Sequence, residues 1–352
     1  MPEELPDIGK ISPEIFQEFI YPRLGAKNKN ILVGPQNGVD VGIVEIGDKV
    51  AAITCDPVFI VPEYGWERAA WFAINILASD AACSGLKPTF MAIDLNLPME
   101  ITKSQLELMW DEMHKECENL GISVISGHTA RYEGCHYPMV GGATVISVGD
   151  KDKYITPTMA KVGDHIIVTK GPAIEATGIF ATAFPQVLEK EFGSDFLKKA
   201  QDIFWDMSVV KDALTAVKVG VREDGVTAMH DATECGIWGG LYEIAQASKV
   251  GMKIEKDKIV VKEEAIKICN YFGIDPYASI SEGTLLLTCC PNKSNEVINL
   301  LKKEGINSSI VGVVVEEKEG IKVSENGEEK ELIHPRVDPF WAAFYKALGE
   351  KK

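Results

Sequence analysis

The chain has 352 residues, 46% of them apolar, with 36 basic and 52 acidic side chains and a net charge of −16. This is the balance of a soluble globular protein long enough for two domains. It excludes a nucleic-acid or anionic-membrane surface, which needs a basic face, but leaves room for an anionic ligand held by metal ions and backbone N–H groups.

In chain order, a short helix is expected over 13–24, then a strand over Ile31–Val33 and another over Lys49–Thr54. Apolar spacing predicts a helix over Trp66–Leu86, stopped near Gly85 with Pro88 beyond it. The stretch Ala69–Leu86 contains Asn75, Ser79 and Asp80, so it reads as a core helix and not a membrane span. A strand over Thr89–Leu95 precedes an amphipathic helix over Lys103–Leu120, with Leu106, Met109, Trp110 and Met113 on one face and Gly121 at its end. Strands over Ile122–Ser126 and Met139–Val148 complete the first half, and the polar run 149–157 marks a boundary.

The second half restarts with the strand 164–169. Helices follow near 181–191, 196–204, 209–220, 239–248 and 263–272, strands over 285–288 and 309–315, a hairpin signal at Asn326-Gly327, and a final helix after Pro339. Alternating strands and long helices mark an α/β or α+β chain. The eight cysteines form no CxxC pair, which argues against zinc and for reduced thiols in a cytosol. The start, Met1-Pro2-Glu3-Glu4, lacks the features of a signal peptide.

Chemistry is suggested first by carboxylates in apolar surroundings: Asp40 after Gly38, Asp56 at the end of Val50–Cys55, and Asp80 inside the Ala-rich helix. A half-buried carboxylate is costly unless it is paired or binds a cation, so three of them point to an oxygen-ligand metal site of the kind that holds Mg²⁺ against phosphates. Each, taken alone, is equally read as a turn acid or a helix cap. A Gly127-His128-Thr129 turn is expected to close the strand before it.

The motifs in order resemble those of the superfamily of aminoimidazole ribonucleotide synthetase, the hydrogenase maturation protein HypE, selenophosphate synthetase and thiamine-monophosphate kinase. The superfamily's Gly-Asp-Asp-Ala-Ala-Val motif reads Gly38-Val39-Asp40-Val41-Gly42-Ile43, with Val39 in place of the first acid. Its Thr-x-Asp strand end reads Thr54-Cys55-Asp56, its Asn-Asp-Leu-Ala helix end Ser79-Asp80-Ala81-Ala82, and its Gly-Gly-x-Thr turn Ser126-Gly127-His128-Thr129. Later come His230-Asp231-Ala232-Thr233-Glu234-Cys235-Gly236 and Ser281-Glu282-Gly283.

The resemblance implies a two-domain α+β fold of the PurM-like kind, closest to HypE. Residues 1–150 would form an N-terminal ATP-binding domain that builds a β-barrel across a homodimer, 158–335 a C-terminal α+β sandwich, and 336–352 a helical tail. It implies transfer of the γ-phosphoryl of Mg²⁺–ATP to a small-molecule or protein-borne acceptor oxygen, in the cytoplasm. Asp40, Asp56 and Asp80 would hold Mg²⁺. Gly38, Thr54, Gly127, His128, Thr129, Thr233, Glu234 and Gly236 would complete the nucleotide cleft, with His128 and Asp231 as catalytic residues. The alternatives are a non-catalytic ATP-binding partner of a maturation factor and a small-molecule kinase.

Blander readings stand beside these. His128 also fits a satisfied core histidine, and Asp231–Gly236 a simple helix cap. Cys235 replaces a glycine, which is awkward if φ is positive there. Lys10 and Lys170 are candidates for phosphate contact, and Glu175 for a solvated turn acid or an acceptor-site group. HypE ends in a Pro-Arg-Ile-Cys tail whose thiol carries the carbamoyl group. Here the sequence runs His334-Pro335-Arg336-Val337-Asp338, so a reaction on this chain's own tail is not expected.

Overall fold

A computed structural model describes residue 11 and residues 13–350; Lys10 lies outside the described residues. The first helical segment is wound three ways: α1 (Pro13–Ile15), a π turn over Phe16–Ile20 and a 3-10 turn over Tyr21–Arg23. The first half then runs β1 (Ile31–Val33), β2 (Gly42–Ile46), β3 (Lys49–Phe59), α2 (Trp66–Ala82), β4 (Pro88–Leu97), α3 (Lys103–Leu120), β5 (Ser123–Arg131) and β6 (Met139–Asp150). Its six strands lie in the order β1-β2-β3-β6-β4-β5. All neighbours are antiparallel except β4 and β5.

Helix α2 lies on this sheet through a face of small residues. Ala69, Ala70, Ala73, Ala78, Ala81 and Ala82 are all buried, and their lack of bulk lets the helix axis approach the strands. Helix α3 begins in a capping box, with Gln105 N–H donating to Thr102 Oγ1 at 3.3 Å and Gln105 Oε1 accepting from Thr102 N–H at 2.9 Å. It ends at Gly121, whose φ of +75° is the left-handed C-cap conformation.

The second half runs β7 (His165–Thr169), α4 (Ile174–Ala183), α5 (Pro185–Phe192), α6 (Ser194–Asp202), α7 (Val210–Ala216), β8 (Val226–Asp231), α8 (Gly236–Ser248), β9 (Gly251–Glu255), α9 (Glu263–Phe272), β10 (Leu285–Cys289), α10 (Pro291–Lys303), β11 (Ser308–Val315), β12 (Ile321–Glu325), β13 (Glu328–Glu331) and α11 (Pro339–Glu350). Its sheet order is β13-β12-β9-β11-β7-β10-β8. Asn326 and Gly327, both at positive φ, join β12 to β13 as the hairpin signal predicts.

Alternate residues of the second sheet face opposite cores. Ile166, Val168 and Leu286 pack under α8, while Ile167, Leu285 and Leu287 face the helical side. The latter core is continuous with that of the first half, from Val58 and Leu77 through Phe180 and Ala213 to Phe340. The two halves therefore share one apolar seam.

This is the mixed α+β arrangement that the motifs imply. The first sheet stays open, with β1 and β5 as its edges, so no barrel closes within one chain. Several sequence expectations shift. The helix over 181–191 is two helices, broken where Pro185 removes an N–H donor. The helices over 196–204 and 209–220 each finish as a 3-10 turn, over Ile203–Asp206 and Val217–Val219. Strands β2, β8 and β9 and helix α10 lie outside the expectations altogether.

Candidate functional site

The loop after β1 presses directly on the second half. Gly38 there has φ +71°, and a side chain at that position would meet Glu243 Cβ at 3.1 Å. Two residues on, Asp40 Oδ2 lies 3.6 Å from His230 Nδ1. His230 and Asp231 are the last two residues of β8, and both are buried. His230 Nδ1 is also 3.6 Å from Asp231 Oδ1, and its Nε2 is 2.7 Å from Glu243 Oε2 on α8. One ligand atom from each of Asp40, His230 and Asp231 falls within 4.8 Å of the other two.

Asp56 and Asp80 reach the same patch from the first half. Thr54 and Asp56 sit on one face of β3, with Thr54 buried and Asp56 half-buried. Asp56 is interior to that strand, which continues to Phe59, so it does not end it. Asp80, near the end of α2, hydrogen-bonds both Asp56 and Asp231. Burial, and then the charges of Asp231, Asp56 and Asp40, push its carboxyl well above the usual range.

Burial alone would lower the His230 pKa. Hydrogen bonds to Asp231 and Glu243 and the charges of Glu243 and Asp40 outweigh it and hold the pKa at about 10. The imidazolium so formed offsets burial at Asp231, whose carboxyl is held below its ordinary value. In the sequence His230 figured only as the first residue of its motif, and Glu243 was missed. The signal was the adjacency of His230 to Asp231 at a strand end.

A second tier of acids lies beneath. Glu282, in the turn before β10, is buried and hydrogen-bonds Ser79 of α2. Ser79 Oγ in turn accepts Val209 N–H at 3.0 Å. Glu175 Oε2 accepts Glu282 N–H at 3.1 Å, and burial pushes its carboxyl up to about 8. Glu175 is thus not a solvated turn acid.

The turn that follows Asp231 carries Thr233 and Glu234, both half-buried, and then two residues in left-handed backbone: Cys235 at φ +64° and Gly236 at φ +57°. Cys235 holds the strained conformation that favours glycine. A side chain at Gly236 would lie 2.4 Å from the Ser279 carbonyl oxygen.

Other sequence candidates go elsewhere. Gly127, His128 and Thr129 form no turn; they lie within the exposed edge strand β5, paired with Ile93, Asp94 and Leu95 of β4. His128 Nε2 hydrogen-bonds Tyr132 Oη at 2.8 Å. Lys170 is committed to structure, because its Nζ contacts Ser208 O at 2.7 Å and Asp212 Oδ2 at 3.1 Å in a buried pair.

The donor set suits a hard divalent cation. The side-chain donors besides His230 are carboxylates, and the buried oxygens Asp231 Oδ2 and Glu282 Oε1 have no hydrogen-bond partner. Orphaned carboxylate oxygens in one acid cluster are what a cation would satisfy. His230 would have to lose its proton to act as a ligand itself.

Residues 38–163 match the N-terminal domain of the AIR synthase related proteins, and residues 161–324 match the C-terminal domain of the same family. The chain belongs to this family, and its fold is PurM-like, with HypE among its near relatives. It is 25% identical over 319 residues to a Methanocaldococcus jannaschii protein named for hydrogenase expression and formation, covering 89% of this chain and 90% of that one. It is 24% identical over 318 residues to carbamoyl dehydratase HypE of Escherichia coli K12, covering 84% and 85%. The crystal structure of a HypE–HypF complex superposes with a TM-score of 0.72 at 18% identity, covering 91% of this chain and 99% of that one. HypE in complex with ATP gives 0.66 at 17%, covering 94% and 97%. At these identities the structures establish the shared fold. Among the described residues, no helix is long and apolar enough to cross a membrane.

Proposed function

We propose that the chain is an ATP-dependent enzyme that transfers the γ-phosphoryl of Mg²⁺–ATP to an amide- or carbonyl-type oxygen. The observation that carries this reading is the convergence of Asp40, Asp56, Asp80 and Asp231 in one cluster where the halves meet. Support comes from the relative named carbamoyl dehydratase and from the HypE structure that contains ATP. Bound Mg²⁺ would neutralise phosphate charge during transfer. Asp40, Asp56 and Asp80 would hold it from the first half and Asp231 from the second. The His230 imidazolium holds the Asp231 carboxyl below its ordinary pKa and pairs with Glu243 at 2.7 Å.

In this reading the protein works in the cytoplasm as a homodimer whose first sheets close a barrel across the pair. The HypE–HypF complex supports a maturation-factor partner as the source of a protein-borne acceptor. A second reading, nucleotide binding without turnover, is favoured by one observation. Val39 stands where the superfamily has its first acid and is buried in a small core with Val41, Ile43 and Tyr154.

The test is ATP binding and turnover with Mg²⁺ in wild type and Asp56→Asn. Binding and slow hydrolysis that both weaken in the variant support the enzyme. Tight binding without hydrolysis, including in the presence of candidate acceptors, favours the second reading. No binding at all sinks both.

A further inference from the structure

Beside the His334 ring, which packs on Tyr242 of α8, the C-terminal segment meets the site through the Asp338 carboxylate. Asp338 is 8% exposed and lies just before α11. Its Oδ2 accepts Cys235 N–H at 2.7 Å, and its Oδ1 accepts Phe340 N–H at 2.8 Å. The Ile280 N–H also faces it and lowers its carboxyl pKa. Three separate stretches of backbone thus converge on one side chain: the turn leading from Asp231 into α8, the loop leading into Glu282, and the first turn of α11.

Each stretch needs holding. Cys235 pays for a left-handed conformation without being glycine, at a cost of about 1–3 kcal/mol that the surroundings must supply. The turn also sits tightly on the 277–279 loop, since any side chain at Gly236 would strike the Ser279 and Tyr277 carbonyls. Helix α11 is itself seated firmly on both halves. Phe340 is fully buried with its ring 4.9 Å from that of Phe180, and the Trp341 ring is 6.3 Å from that of Phe59. Phe59 belongs to β3, three residues beyond Asp56.

We propose that Asp338 is a positioning residue of the site: its carboxylate fixes the turn after Asp231 and the loop before Glu282, and α11 ties both to the strand that carries Asp56. The catalytic part of this inference rests on the phosphoryl-transfer reading. The anchoring part stands on geometry alone. A carboxylate that accepts one backbone N–H on each oxygen has no neutral equivalent, because an amide oxygen cannot serve both of the positions that Oδ1 and Oδ2 occupy.

Asp338→Asn, Asp338→Ala and Asp338→Glu are compared with wild type and with Leu301→Ala, a fully buried truncation in α10 that matches the loss of stability. Two readouts are taken on the full chain: amide hydrogen exchange over residues 235–240 and 279–283, and kcat and KM for ATP hydrolysis with Mg²⁺. In Asp338→Asn, exchange in both segments is expected to rise at least about tenfold and kcat to fall at least about tenfold, with a smaller change in KM. Asp338→Glu recovers part of both, and Leu301→Ala shows neither. Unchanged exchange in folded Asp338→Asn overturns the inference, as does faster exchange with kcat within about twofold of wild type, or an equal kcat loss in Leu301→Ala. If Asp338→Ala does not fold, Asp338→Asn and Asp338→Glu carry the comparison. If wild type hydrolyses no ATP, the exchange arm still decides the anchoring role. Faster exchange in both segments then upholds it while the phosphoryl-transfer reading falls.

Discussion

The acid patch and the Gly127-His128-Thr129 strip come from the same half of the molecule and end in opposite surroundings. Asp56 and Asp80 ride inward on an apolar strand and an alanine-rich helix, so their charge has to be met by groups from the other half. The His230 imidazolium supplies the positive charge there, while Asp231 and Glu282 add to the crowd of acids. The strip rides on an edge strand whose side chains are exposed, and His128 is satisfied locally by Tyr132. The difference teaches that burial of the carrier element, more than the motif itself, decides which polar residues are forced into a cluster.

The largest expected effect is at Asp231. Its Oδ2 is buried with no hydrogen-bond partner, and Asp231→Asn removes the charge that faces both His230 and Asp80. Turnover with Mg²⁺–ATP should fall by about a hundred- to a thousandfold, the range seen when one preorganised electrostatic group is removed. Steady-state kinetics checks this, and a kcat/KM near wild type would erase the contrast between patch and strip.

Next comes the turn behind Asp231. Gly236→Ala forces a Cβ to within 2.4 Å of the Ser279 carbonyl at φ +57°. Gly47→Ala is its control, because Gly47 has φ +63° but open space around it. The control should cost about 1 kcal/mol from backbone conformation alone. Gly236→Ala should cost more than about 3 kcal/mol, since backbone must move to admit the methyl. Urea denaturation of the two variants separates the terms. Equal losses would show that the turn is looser than its contacts indicate.

How much of this was legible beforehand follows the same line. Helix α3 was readable in full, because Leu106, Met109, Trp110 and Met113 lie at helical spacing and Gly121 stops the run, though of these only Met109 and Met113 are fully buried and Trp110 is exposed. The three acids of the first half were readable because each interrupts apolar residues. Strand β8 was not: Val226-Thr227-Ala228-Met229-His230-Asp231 is buried on both faces and shows no alternation, and two of its six residues are titratable. With β8 unread, His230 had no position, and its role as the partner of three carboxylates was invisible. Asp56 was misplaced to a strand end for a related reason. Pro57 reads as a stop, yet β3 runs through it to Phe59.

A smaller effect sharpens the second tier of acids. The Glu175 carboxyl is held at about 8 by burial, against an ordinary 4.5. A group whose folded pKa is raised contributes stability that is complete below the ordinary value and lost as pH rises through the folded one. Wild-type stability should therefore fall between pH 5 and pH 9, by up to about 1.4 kcal/mol for each unit of the raise. Glu175→Gln should flatten that fall. Parallel pH profiles for the two proteins, measured by urea denaturation, would mean that Glu175 titrates in the folded state as it does in water.

The smallest effect is expected at His128. Its ring is exposed and stacked on Tyr132, so His128→Ala removes one surface hydrogen bond and should change stability by no more than about 0.5 kcal/mol. Turnover should stay within about threefold, because the only group it leaves unpaired is a solvent-facing hydroxyl. A hundredfold loss would reverse the reading of the strip. Since β5 is the open edge of the first sheet, such a loss has a specific cause to look for: a second copy laid against that edge, placing His128 at its partner's cleft. Sedimentation of the same sample distinguishes the cases. Lost turnover with the dimer intact would make His128 part of the site, whereas lost turnover with the dimer gone would make it part of the interface that the barrel reading requires.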